Sequence, residues 1–429
     1  MASTFTRSVA KQVLSSLLTC GVVFLTACSQ SEPPAKTQSE TAAPVPSVAA
    51  STATVFQGAR LIPGDRSAPI DDGVLVIDQG RIIAVGDSTV AIPAGATVID
   101  VRGMTIMPAI VDTHTHLNGE RAALEEDLRA RARFGISAAL SLGLDASGEV
   151  FAVRAEEIPG AARYRTAGRG ITSPEPGRSE VPHWITNEEE ARAAVRDEAA
   201  RQVDIIKIWV DDRDGAYQKL SPDLYRAVID EAHANGLRVA AHIFNQSDAK
   251  GLLDAGIDAF AHGVRDIDID DEMVAMFNAH PEVVLIPNLP GRGVPADFEW
   301  LRGRIPDDQV ERLATAGDNP KAQAAFGIQA RNLKRLYEAG VTIALGTDGN
   351  TAWAPHTEME DMVISGMQPA DVIIAATSNA ATFLKLDDTG TLAVGKRADF
   401  IVLDADPLQD ITNTRRIHDV YLQGERIER

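Results

Sequence analysis

Cysteine is almost missing from this chain. Of 429 residues only Cys20 and Cys28 carry a thiol, and both fall within the first 28 positions. The rest of the sequence can offer no thiol nucleophile, no cysteine-ligated zinc site and no disulfide. Positive charge is also short. The 41 Lys and Arg stand against 61 Asp and Glu, leaving a net charge of −20. That balance argues against nucleic acid as a partner, because a phosphate backbone attracts basic faces. An acidic surface otherwise signals solubility. What is present is apolar mass: 45% hydrophobic and 24% charged residues suit a full core in a catalytic body. The length fits one large barrel plus a smaller domain.

The N-terminus reads as a targeting segment. Arg7 and Lys11 form a basic region before the apolar stretch Val13–Thr26, which is too short to span a bilayer comfortably. It ends in Leu25-Thr26-Ala27-Cys28, which resembles a bacterial lipobox and so implies cleavage before Cys28 and acylation of that residue. The alternative is an ordinary secretory signal with a chance cysteine. Residues 1–27 are thus expected as signal peptide and 28–52 as the lipidated cysteine with a tether. Ser29–Ala50 is rich in Ser, Thr, Ala and Pro without apolar periodicity. A coil of that length reaches roughly 25–30 Å. Ser29 after the cysteine resembles the outer-membrane sorting signal of Gram-negative bacteria. The expected location is therefore the cell envelope, lipid-anchored in the outer membrane and facing the periplasm.

From Ala53 to Gly103, and again from Gly390 to Arg429, short β-like runs alternate with turn signals. Residues 53–106 and 388–429 are read as one split β-sandwich formed by both chain ends. Between them, 107–387, strand and helix patterns alternate. Eight apolar runs, from IMPAIVDTH to VTIALGTDG, are separated by helices at Glu120–Phe134, Glu149–Glu157, after the N-cap candidate Asn187, after Ser221-Pro222, up to Gly256, from Asp270 to His280 and in FGIQARNLKRLYEAG. Repeated βα units favour a parallel sheet, and eight favour a closed (β/α)8 TIM barrel. The fold class is α/β.

Several runs carry, at or near their C-terminal ends, side chains that bind metals: His114 and His116 in IMPAIVDTHTHL, Lys207 in VDIIKIWV, His242 in LRVAAHIF, His262 in IDAFAHG and Asp348 in VTIALGTDG. In such a barrel the C-terminal strand ends converge on one mouth. On an extended chain His114 and His116 share a face, because side chains alternate with period two. His242 and His262 close successive strands; each alone reads as a core histidine, and together they read as ligands. An ammonium at Lys207, between Ile206 and Ile208, is costly to desolvate. It is either a snorkelling lysine or a neutral amine that takes up CO2 to form a carbamate, a bridging ligand for two ions. Asp348 reads as a general base beside the metals, or as a turn residue.

The remaining candidates concern substrate. His183, in the loop after strand three, and His356, after strand eight, are placed within reach of the mouth. Arg213 and Arg265, with the Gly291–Ala325 segment and its Arg292, Arg302 and Arg304, offer cations for a substrate carboxylate. That segment is read as a lid or as pocket wall. His233, His280 and His418 are read as structural.

The order HTH, Lys, His, His, Asp resembles the amidohydrolase superfamily, in its dinuclear branch with a carboxylated lysine. The tail Ala375-Ala376-Thr377-Ser378-Asn379-Ala380-Ala381 with Gly395-Lys396-Arg397-Ala398-Asp399 is similar to the imidazolonepropionase-related group that includes Xaa-Pro and Xaa-Arg/Lys dipeptidases. The resemblance spans about Val55 to Arg429. It implies that His114, His116 and Asp348 bind one divalent ion and His242 and His262 a second. Carboxylated Lys207 and a hydroxide would bridge the two, with Zn suiting the nitrogen and oxygen donors. The chain departs from the dipeptidase pattern in two places. No histidine follows Gly168-Arg169-Gly170 directly, and Ile243-Phe244 stands where a tyrosine is common. The expected function is metal-dependent hydrolysis of an amide bond in a small molecule such as a dipeptide or N-acyl amino acid. The alternatives are an esterase, lactonase or cyclic-amide hydrolase, or an inactive binding lipoprotein. Contact with the membrane is expected through the lipid alone, and a homo-oligomer stays open.

Overall fold

The computed structural model describes residues 51–315 and 317–429; the expected signal segment, Cys28 and nearly all of the tether lie outside them. The apolar runs of the middle region form short strands. In chain order they are β1 (Ile110–Thr115), β2 (Ile136–Ser141), β3 (Arg163–Thr166), β4 (Ile206–Trp209), β5 (Val239–His242), β6 (Ala259–Ala261), β7 (Val284–Ile286) and β8 (Thr342–Ile343). All pairings among them are parallel. β1 to β3 form one sheet, and β4 to β8 form another, extended at β4 by Ile171–Thr172 and His183–Trp184. Past β8, Leu345 accepts the Thr113 N–H at 3.0 Å and Asp348 donates its N–H to the His114 carbonyl at 2.8 Å. The chain leaving β8 is thereby tied to β1.

These strands are buried on both faces, which explains why they read as continuous apolar runs. One layer, between sheet and helices, holds Ile110, Ile136, Ile206, Ile208, Val239, Phe260 and Leu285. The opposite faces carry a second cluster of mostly small residues: Val111, Ala138, Leu140, Ala240, Ala259, Ala261 and Ala344. By strand alternation Lys207 lies on the face opposite Ile206 and Ile208, and His242 follows Ala240 on the same face.

The helices largely obey their sequence signals. Asn187 accepts the Glu190 N–H at 3.0 Å and opens Glu188–Ala200. Asp270 caps Asp271–Ala279 through the Met273 N–H at 2.8 Å. The helix expected from Phe326 starts earlier, at Pro320, because Asn319 caps it and proline fits the first turn. The first expected strand, IMPAIVDTH, is two strands. Thr105–Pro108 joins a different sheet, and β1 begins after Ala109.

That other sheet draws on both chain ends. Its order is Glu425–Arg426, Ile417–Leu422, Phe400–Leu403, Thr105–Pro108, Thr54–Leu61, Ile70–Asp78 and Arg81–Gly86, with Thr97–Asp100 paired to Thr54–Leu61. Phe400 stacks on Tyr421 at 4.8 Å, and Phe56 meets both edge-on. No helix among the described residues is long and apolar enough to cross a membrane.

Candidate metal centre

The six side chains, on or just beyond the strands, converge. His114 closes β1 with His116 just beyond it, their rings 5.2 Å apart; His114 lies 5.4 Å from His262, and His262 4.6 Å from His242. Asp348 reaches three of the four. Its Oδ1 is 3.1 Å from His114 Nε2 and 3.0 Å from His116 Nε2, and its Oδ2 is 3.5 Å from His262 Nε2. His114, His262 and Asp348 each offer one donor atom within 4.8 Å of the others, close enough for a single ion.

Lys207 is fully buried and its Nζ has no hydrogen-bond partner. It stands 5.4 Å from the Trp209 ring centroid. Burial pushes its pKa down to about 7, Arg213 adds to the fall and Asp348 opposes it. Glycine makes room for it. A Cβ on Gly143, whose φ is +101°, would sit 2.6 Å from the Trp209 ring and 2.8 Å from Lys207 Cγ.

Burial also governs the imidazoles. It pulls His114 to about 4 and His242 to about 3, and holds His262 well below its usual range, with the Lys207 charge acting on all three. The rings are therefore neutral near pH 7 and keep lone pairs for cations. For Asp348 burial acts upward, but its contacts with His114, His116 and His262 hold the carboxyl far below its usual range. The His114 Nδ1 lies 2.9 Å from Asn288 Oδ1, which directs Nε2 toward Asp348. His262, Asn288 and Asp348 all take positive φ, of 94°, 43° and 54°. Such conformations cost about 1–3 kcal/mol each and persist where the surroundings fix them.

The cluster opens to a cavity of about 330 Å³ whose walls include His116, Trp209, Arg213, His242 and Asp348. Arg213 reaches His242 Nε2 at 3.3 Å and donates to Glu175 and Asp211. Arg265 lies over Phe244, which packs on His242. Two candidates are not brought to the cluster. His183 is held by Glu198 at 2.9 Å. His356 is fully buried, with one ring nitrogen on the Phe134 carbonyl and the other on Thr414 Oγ1. Of the Gly291–Ala325 segment, Phe298 and Trp300 pack on Trp353, and Trp300 also meets His356. His233, His280 and His418 pair with Asp258, Glu282 and Asp404.

Sequence reasoning missed Asn288, Asp211 and Arg131. Asp211 lies 3.1 Å from His242 Nε2 and 2 residues past β4. Asn288 could have been found as the polar residue ending the apolar run EVVLIPNLP.

Buried neutral imidazoles and a buried amine, with the more exposed Asp348 carboxylate facing the cavity, offer donors for a cation and a proton acceptor beside it. Residues 105–427 match the Amidohydrolase family, and the chain belongs to it, among the hydrolases acting on C–N bonds. The Aspergillus niger ochratoxinase is 26% identical over 414 residues, covering 83% of this chain and 82% of that one. The imidazolonepropionase of Paracoccus denitrificans is 28% identical over 373 residues, covering 78% and 88%. A solved Xaa-Pro dipeptidase superposes with a TM-score of 0.71 at 22% identity, covering 88% of this chain and all of that one.

Proposed function

We propose that the parallel strands form a closed (β/α)8 barrel, joined to a sandwich built from both chain ends, and that its mouth hydrolyses an amide bond in a dipeptide or N-acyl amino acid. The observation that carries this reading is the set of buried, unpartnered donor atoms. Both His262 nitrogens and Lys207 Nζ have no hydrogen-bond partner. Unpaired buried polar atoms are costly, and three on one site fit a cationic occupant. The donors suit two divalent ions, with zinc matching the nitrogen and oxygen set. His114, His116 and Asp348 would hold one, His242 and His262 the other, and Lys207 as a carbamate would join them. When bound, such ions activate water near neutral pH and polarise a carbonyl.

The chain's own residues supply the rest. Asp348 is ionised and open to the cavity, so its carboxylate can accept a proton from the attacking water and return it to the leaving nitrogen. Asn288 fixes the His114 ring. The walls of the cavity orient the substrate. The test is the soluble body, loaded with zinc, assayed against dipeptides, N-acyl amino acids and esters. Amide turnover that is lost on chelation supports the reading, and ester turnover alone would replace it. We further propose that acylated Cys28 anchors the enzyme at the outer membrane, facing the periplasm. Mature protein without lipid at Cys28 would remove that part.

A further inference from the structure

Several arginines surround the cluster, and their partners separate them. Arg213 donates Nε to Glu175 Oε1 at 3.1 Å and also pairs with Asp211; Arg178 donates to Glu175 Oε2 at 2.7 Å. Both are already matched by carboxylates. Arg265 is not: among the described residues no carboxylate lies within ion-pair distance of it, although Asp211, Asp214 and Asp348 act on its charge from farther away.

Its place is fixed without an ion pair. The guanidinium carbon sits 3.2 Å from the centroid of the Phe244 ring. That ring packs 4.4 Å from His242 and 5.2 Å from His262. The Arg265 N–H donates to the Phe244 carbonyl at 2.9 Å, tying the loop after β6 to the loop after β5. A guanidinium resting on an aromatic face keeps its in-plane N–H groups free for a planar anion. Partial burial strengthens such a charged bond relative to one in open water. Phe244 has no hydroxyl to offer a substrate, so its contribution is the platform.

We infer that Arg265, seated on Phe244, binds a carboxylate next to the scissile amide and makes the site selective for N-acyl amino acids and peptides with a free α-carboxylate. The inference rests on the hydrolytic reading above for the position of the scissile bond. It separates Arg265 from Arg213, which lines the cavity but whose charge is taken.

The experiment compares N-acetyl-L-leucine and glycyl-L-leucine with their C-terminal amides on the zinc-loaded protein. Hydrolysis is followed by release of leucine or leucinamide, and binding by calorimetry. Wild-type protein is expected to favour each acid over its amide by at least about tenfold, the scale of one lost charged hydrogen bond. Arg265→Met should erase the preference by raising KM for the acids while leaving the amides nearly unchanged. Phe244→Leu, which keeps the guanidinium and removes its platform, should weaken it partly and serves if Arg265→Met does not fold. Acid-selective binding without hydrolysis, erased in Arg265→Met, would keep this inference and remove the hydrolytic reading. An acid bound no better than its amide, or a preference unchanged in both variants, would overturn the inference and leave hydrolysis standing.

Discussion

Arg131 and Asp112 face each other 3.7 Å apart, both without solvent exposure, behind the loop that carries Asp348. Asp112 accepts the His114 N–H at 3.2 Å and the Thr347 hydroxyl at 2.8 Å. Arg131 donates to the carbonyl of Gly349 at 3.2 Å and approaches that of Thr351 at 3.4 Å. Residues on both sides of Asp348 are thus pinned, and its left-handed backbone is held from behind. The pair also joins β1 to the turn after β8.

Removing one partner leaves an uncompensated buried charge, which costs about 3–5 kcal/mol. Arg131→Met is therefore expected to lower the melting temperature strongly and to loosen metal binding at Asp348. Asp112→Asn combined with Arg131→Met should recover part of the stability, because no unpaired charge remains. Thermal melts of the three proteins measure this. A single variant as stable as wild type would show that the pair contributes nothing.

Asp348→Asn keeps an oxygen donor and removes the proton acceptor. It should retain metal while turnover falls by about 10²–10⁴-fold, the usual contribution of a general base. Metal analysis beside kcat separates the two effects. A variant that loses metal and rate together would mark Asp348 as a ligand alone.

The metal-free protein tests the state of Lys207 by pH. Its amine is pushed down to about 7, so it is mostly an ammonium at pH 6 and mostly neutral at pH 8.5. Only the neutral amine adds CO2. At fixed dissolved, isotope-labelled CO2, carbon NMR should show a carbamate that grows as pH rises through 7 and vanishes below it. Equal signal at both pH values, or none at 8.5, would count against the amine as the reacting group.

Much of this site was legible because its residues break a pattern. Lys207 inside its run, and His242 and His262 at the ends of theirs, are polar groups in otherwise apolar sequence, and a buried strand tolerates such a group only with a purpose. His356 shows the limit of that signal. A histidine in the segment that follows a strand looks the same in sequence whether it faces the mouth or, as here on the helix Ala354–Ile364, Phe134 and Thr414. Arg131 was illegible for the opposite reason. It sits in an Arg- and Glu-rich helix, Arg121–Arg133, where every arginine reads as solvated, and only the packing of that helix buries it. The break at Ala109 was hidden too, since one unbroken apolar stretch, Ile106–Val111, runs across it and the two strands part only in their partners.

The most direct test of the dinuclear account is metal stoichiometry and turnover in wild type and Lys207→Arg, measured on the same preparations. A guanidinium keeps positive charge and bulk but forms no carbamate and ligates no cation. The account predicts about two divalent ions per active wild-type chain, and a Lys207→Arg protein that folds, holds at most one and has lost turnover. A Lys207→Arg protein with wild-type metal content and wild-type rate would contradict it.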